Sequence, residues 1–165
     1  MQKTNFFYRI ENQLKNIKTS TTILIFTIII LIQTFILGCC FGLLVEEIDV
    51  DNKEYSSIIN LIFLALIIAP LIETFINQYL FFKIFYKVKT KIIIIIISAI
   101  MFSLLHYHKN VNIFELFTLF FNGIIFSYAY YFYLKYNKSA YINVVLIHLF
   151  SNLIPVMYLI INPPW

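Results

Sequence analysis

Charge is what this sequence has least of. Only 12% of its 165 residues are Asp, Glu, Lys or Arg, while 61% are hydrophobic, and mean hydropathy is +0.86. That balance excludes an ordinary water-soluble domain. Cysteine is nearly absent: Cys39 and Cys40 are adjacent within an apolar run, a spacing that suits neither a disulfide framework nor a metal site. They are expected to be packing residues. "ILGC" at 36–39 faintly resembles a lipoprotein cleavage box, but the apolar run continues past it and lipidation is not expected. Three glycines leave the helices bulky. No internal repeat occurs, and "IIIIII" at 92–97 is the one low-complexity tract. The net charge of +4 lies at the ends of apolar runs and forms no stripe, so it reads as a topology signal and not as a nucleic-acid surface.

What is present is a series of long apolar segments. They cover about 22–45, 57–82, 92–107, 112–134 and 139–162, each near the ~20 residues that a bilayer demands apart from the shorter third. The expected fold is all-α: a polytopic bundle of about five transmembrane helices. Residues 1–21 space Phe6, Phe7, Ile10, Leu14 and Ile17 as on one helical face, with Lys3, Arg9, Lys15 and Lys18 elsewhere. This pattern predicts an amphipathic helix on an anionic membrane surface. The expected organisation is therefore an interfacial segment over 1–21 and one transmembrane domain over 22–165.

The connecting segments alternate in charge. Basic 1–21 precedes acidic "EEIDVDNKE" at 46–54, then come Lys83, Lys87, Lys89 and Lys91, then Lys109 alone, then Lys135 and Lys138. The positive-inside rule then places the N-terminus in the cytoplasm, and the partner of the whole chain is the lipid bilayer.

Within the runs, a few polar residues stand out because hydrocarbon makes them costly. Glu73 is the one deep acid, in "APLIETFINQYL", and an isolated buried acid costs several kcal/mol unless partnered. Pro70, three residues earlier, frees a backbone carbonyl one turn back, bending the helix and admitting water or a side chain. Thr74 and Gln78 are four apart and share a face. In "MFSLLHYH", Phe102 and His106 share a face, and His108 is a wetter second candidate. In "HLFSN", His148 and Asn152 repeat the four-residue spacing. At ~1.5 Å of rise per residue from the flanking lysines, Glu73 and His148 lie roughly 15 Å deep, Asn152 roughly 20 Å and His106 roughly 22 Å. To face Glu73, the helix of His106 must tilt, begin later or bend.

A carboxylate, two imidazoles and a carboxamide in a water-poor setting are the parts of a hydrolytic site: a base for water and donors for an oxyanion. No serine or cysteine nucleophile is evident. Glu plus two His also suits zinc, but the tight pair of H-E-x-x-H is missing, so no cofactor is expected and zinc is the alternative. A third chemistry, a proton or cation site in a transporter, would want an inverted repeat of broken helices, and none is visible.

Taken in order, "ETFINQ" at 73–78, "FSLLH" at 102–106 and "HLFSN" at 148–152 resemble the CPBP family, the intramembrane proteases of CAAX and bacteriocin processing. That family carries E-E-x-x-x-R, F-x-x-x-H and H-x-x-x-N/D on successive helices, and "FFNGIIFSYAYY" at 120–131 resembles its intervening helix. The similarity extends over about 65–155. It implies a glutamate-dependent endopeptidase in which Glu73 and His106 activate water while His148 and Asn152 hold the oxyanion. It implies a hydrophobic or lipidated peptide or protein substrate and, from its bacterial relatives, a location in a bacterial cytoplasmic membrane. Two positions depart from the pattern: Thr74 replaces the second glutamate and Gln78 the arginine. Acid and base are lost together, so a Thr74–Gln78 hydrogen bond is expected to replace the charged pair as support. The alternative implied by the same relatives is an idle member acting in bacteriocin immunity or membrane interaction.

Overall fold

In hydrocarbon every backbone N–H and C=O must be satisfied within the protein, and the helix is the local way to do it. The computed structural model describes residues 6–42, 58–85, 87–88, 90–107 and 111–161, and among them the regular elements are all helices. Helix α1 spans Phe6–Leu14 and α2 spans Thr19–Gly42. Helix α3 covers 58–84 as alternating α and π stretches: Ile58–Phe63, π-helical Leu64–Ile68, Ala69–Thr74, π-helical Phe75–Leu80 and Phe81–Ile84. Helices α4 (Lys91–Leu105), α5 (Ile113–Lys135) and α6 (Ala140–Ile161) complete the bundle. The acidic 46–54 segment, Lys3, Lys89, His108 and Lys109 lie outside the described residues.

Four of these helices, α2, α3, α5 and α6, are long and apolar enough to cross a membrane, and α4 is a shorter apolar helix. The chain is an integral membrane protein. Its outer surface bears this out: Leu24, Ile32, Phe35, Ile92, Ile154 and Met157 are each more than half exposed, an arrangement that water would penalise and lipid does not. Cys39 and Cys40, expected to pack, are instead exposed. They sit near the end of α2, where a side chain added at neighbouring Gly38 would meet nothing within 4 Å among the described residues.

Aromatic side chains fill the centre. Phe26 of α2 packs edge-on against Phe132 and Tyr133 of α5, with centroids 5.8 and 6.1 Å apart. Phe82 of α3 meets Tyr130 at 5.1 Å. Tyr133 is fully buried and pairs its hydroxyl with Thr22 Oγ1 at 3.0 Å. Between α4 and α5 the packing is closer still: a Cβ added at Gly123 would lie 2.9 Å from Ala99 Cα, so only glycine allows the two backbones to approach this far.

The ends are tied by local chemistry. Asn112 caps α5 by accepting from the Glu115 amide at 2.7 Å. At the other end Asn137 takes φ 53°, and Lys138 N–H donates to Tyr133 O at 2.9 Å, a left-handed cap that turns the chain into α6 within a few residues. Lys135 joins Glu11 of α1 at 2.8 Å and Lys138 donates to Ile17 O at 3.3 Å. These contacts hold α1 against the end of the bundle that also carries the α5–α6 connection.

Candidate active site

Proline has no N–H to give, and in α3 the consequence is visible atom by atom. Ala69 N–H donates to Leu64 O, five residues back. In that register the next donor would be Pro70, so Ala65 O is left without a backbone partner. Asn152 of α6 supplies one, its Nδ2 donating to Ala65 O at 2.9 Å. The side chain that the sequence leads one to expect at the freed carbonyl is thus Asn152 itself. Two more carbonyls of α3, each six residues further on, also accept from side chains. Tyr141 of α6 donates its hydroxyl to Leu71 O at 3.0 Å, and Ser98 of α4 donates to Asn77 O. Glu73 lies between these braces.

The Glu73 carboxylate points between two imidazoles. His106 Nε2 is 3.4 Å from Oε2 and His148 Nε2 is 3.7 Å from it, while among the described residues Oε2 itself has no hydrogen bond. The His106 side chain is about a third exposed, that of Glu73 a fifth and that of His148 almost none, at 31%, 20% and 6%. His106 follows α4 directly. That helix begins at Lys91 and ends at Leu105, so His106 hangs from its terminus, with its N–H bonded to Ser103 O at 3.1 Å.

Phe102 explains the spacing of the second motif. Its carbonyl lies 2.8 Å from His106 Nδ1. A carbonyl can only accept, so Nδ1 carries the proton and Nε2 faces Glu73. Its ring, 4.8 Å from the imidazole of His106 and 5.8 Å from that of His148, separates the two. Phe126 of α5 closes on His148 at 4.5 Å, which fixes that ring between two aromatics.

These groups wall one cavity of about 140 Å³, lined by Glu73, His106, His148 and Asn152 together with Thr34, Asn122, Ser151 and apolar side chains from α2, α5 and α6. At ~30 Å³ per water the space suits several waters or one peptide unit with a water. A larger recess of about 290 Å³ between α4 and α5 has no titratable side chain in its wall and offers no comparable chemistry. Among the described residues, no group of three or more His, Cys, Asp or Glu is arranged to hold a metal ion.

Thr74 and Gln78 are brought to neither the cavity nor each other. Both are fully buried, yet among the described residues Thr74 Oγ1 and Gln78 Nε2 have no hydrogen-bond partner, so the expected Thr74–Gln78 bond is not made. The cause is local: Thr74 is the last α-helical residue and Gln78 lies in the π stretch Phe75–Leu80, where the wider turn breaks the i, i+4 alignment. Asn122, Thr34 and Ser151 were not singled out from the sequence. Asn122 had one available signal, a lone carboxamide inside an apolar span.

Among known families, one described as type II CAAX prenyl endopeptidase, Rce1-like, has a model that matches residues 55–154, 100 of the 165 residues. The match takes in Glu73, His106, Asn122, His148 and Asn152. Neither the curated proteins nor the solved structures contain a match to the chain.

Proposed function

The chain belongs to the Rce1-like type II CAAX prenyl endopeptidases, a family of proteases, and from that premise we propose that it is an intramembrane endopeptidase using water activated by Glu73 and His106. The observation that carries the reading is the approach of one carboxylate oxygen to two imidazoles, at 3.4 and 3.7 Å, in a cavity cut into a membrane-embedded bundle.

In this reading a water held by Glu73 and His106 gives a proton to the Glu73 carboxylate as its oxygen bonds to the substrate carbonyl carbon. The carbonyl π electrons move to oxygen, and His148 and Asn152 donate hydrogen bonds to the resulting oxyanion. Collapse re-forms the carbonyl and breaks the C–N bond, while Glu73 returns its proton to the departing amine. Thr74 and Gln78 act only as buried support of the helix that carries Glu73. The substrate is a membrane-associated peptide or protein, hydrophobic or lipidated, that presents one peptide unit to the small cavity. The basic end of the bundle faces the cytoplasm, in a bacterial cytoplasmic membrane.

The test is cleavage in liposomes of a peptide with a prenylated cysteine three residues from its C-terminus, beside the same peptide unprenylated, in ¹⁸O-labelled water. The expected result is one internal cut with label in the new carboxylate, lost in His148→Ala and indifferent to chelators. Absence of cleavage of either peptide by folded, inserted protein would contradict the reading. Loss to a chelator with recovery on adding zinc would assign the water to a metal instead.

A second reading, an idle member acting by interaction or immunity, draws on the unpartnered Thr74 and Gln78 at the departed motif positions. It requires the phenotype to survive loss of Glu73.

A further inference from the structure

The cavity wall contains a second carboxamide that belongs to none of the three motifs. Asn122, on α5, lines the same space as Glu73, His106, His148 and Asn152. Thr34 Oγ1, on α2, donates to its Oδ1 at 3.2 Å. With the Thr34 hydroxyl donating to Oδ1, the end left for the cavity is Nδ2 with its two hydrogens.

Asn152 is placed differently. Its Nδ2 already donates to Ala65 O at 2.9 Å, bracing the helix beneath Glu73, and only one hydrogen is left over. Among the described residues, Asn122 Nδ2 has no such second duty. It is also presented from a fixed position, because the next residue, Gly123, packs backbone to backbone on Ala99, with a would-be Cβ only 2.9 Å from Ala99 Cα. An oriented N–H donor on a rigid helix, in a small cavity shared with a candidate base, is the arrangement that stabilises charge developing on a carbonyl oxygen.

We propose that Asn122, oriented by Thr34, is a further catalytic residue that donates from Nδ2 to the oxygen of the scissile carbonyl. The inference rests on the hydrolytic reading of the cavity. It adds Asn122 to His148 and Asn152 as a donor to the reacting oxygen, Asn152 contributing the one hydrogen left after bracing α3. No proton leaves Asn122. As the water oxygen bonds to the carbonyl carbon and negative charge gathers on the carbonyl oxygen, the Nδ2 hydrogen bond shortens, and it relaxes when the C–N bond breaks.

The experiment compares wild type, Asn122→Ala, Asn122→Asp and Thr34→Val in liposomes, with thermal unfolding in detergent as the control for folding. Two probes are used: the prenylated peptide as substrate, and a peptide phosphinate of the same sequence whose P–O⁻ oxygens imitate the tetrahedral species. Asn122→Ala is expected to lower kcat by about 10²–10³, the loss typical of one oxyanion donor, with KM little changed. Phosphinate affinity should fall by a comparable factor while affinity for an uncleavable ground-state peptide holds. Thr34→Val keeps the amide but frees its orientation, so a smaller loss in kcat of the same kind is expected. Asn122→Asp is isosteric and lacks the donors, so it decides the matter if the alanine variant fails to fold.

Unchanged kcat in folded Asn122→Ala would overturn the proposal. An equal loss of phosphinate and ground-state binding would overturn it too, since that pattern marks a structural role. If wild type cleaves nothing, the hydrolytic reading fails, and phosphinate binding still judges Asn122: selective loss in the variant supports the donor, while equal binding or none in wild type refutes it.

Discussion

Phe102 does more for the site than its apolar character suggests. Its carbonyl sets the proton on His106 Nδ1 and its ring separates the two imidazoles, while only 2% of the residue is exposed. Phe102→Leu removes three buried side-chain carbons and should destabilise the fold by about 1–3 kcal/mol, as core truncations of this size do. Activity should fall more steeply than that, because leucine keeps the backbone carbonyl on His106 Nδ1 but removes the ring that packs against both imidazoles. Comparing kcat with the unfolding midpoint in detergent checks this, and activity falling only in step with stability would refute it. At this scale the sequence was highly legible. A lone acid, two histidines and an asparagine are conspicuous against hydrocarbon, and their four-residue spacings assign them to helix faces. Asn122 escaped because a single amide with no spaced companion makes no pattern. The Thr74–Gln78 hydrogen bond was misjudged because spacing alone does not reveal a π stretch starting between them.

At the scale of elements, α3 is the part under most constraint. Asn152, Tyr141 and Ser98 donate to its carbonyls of Ala65, Leu71 and Asn77, and that of Leu71 also accepts from the Phe75 N–H. The freed carbonyl behind Pro70 follows from proline chemistry and was legible. The donors were not, since Tyr141 and Asn152 lie 70 and 87 residues away in sequence. Tyr141→Phe removes one of these bonds and keeps the ring that packs on Tyr79 at 6.2 Å. A stability loss of about 1 kcal/mol is expected for one hydrogen bond, together with a fall in kcat as the turn bearing Glu73 loosens. Hydrogen exchange should quicken at the amides following Leu71. Unchanged exchange and unchanged kcat would show that the brace is incidental to Glu73. The close α4–α5 approach is of the same kind: a lone glycine in a span is visible in the sequence, but its opposite number, Ala99, is not.

For the whole molecule, five apolar runs translated into four long spans and a short one because every uncharged stretch in lipid has to close its own hydrogen bonds. The short span was foreshadowed by its length, and His106 follows its last residue. The bundle has one basic end, where Lys135 and Lys138 secure α1. A single cysteine in place of Lys138, with Cys39 and Cys40 changed to alanine, should react with an impermeant maleimide from the cytoplasmic side alone; reaction from the opposite side would invert the proposed topology. The central claim is that the buried acid between two imidazoles activates water. It is tested most directly by Glu73→Gln in liposomes, a change of one oxygen for an NH₂ that keeps size and shape. Peptide cleavage should be abolished in protein that still inserts and unfolds at the wild-type temperature. Cleavage at the wild-type rate by that variant would contradict the account.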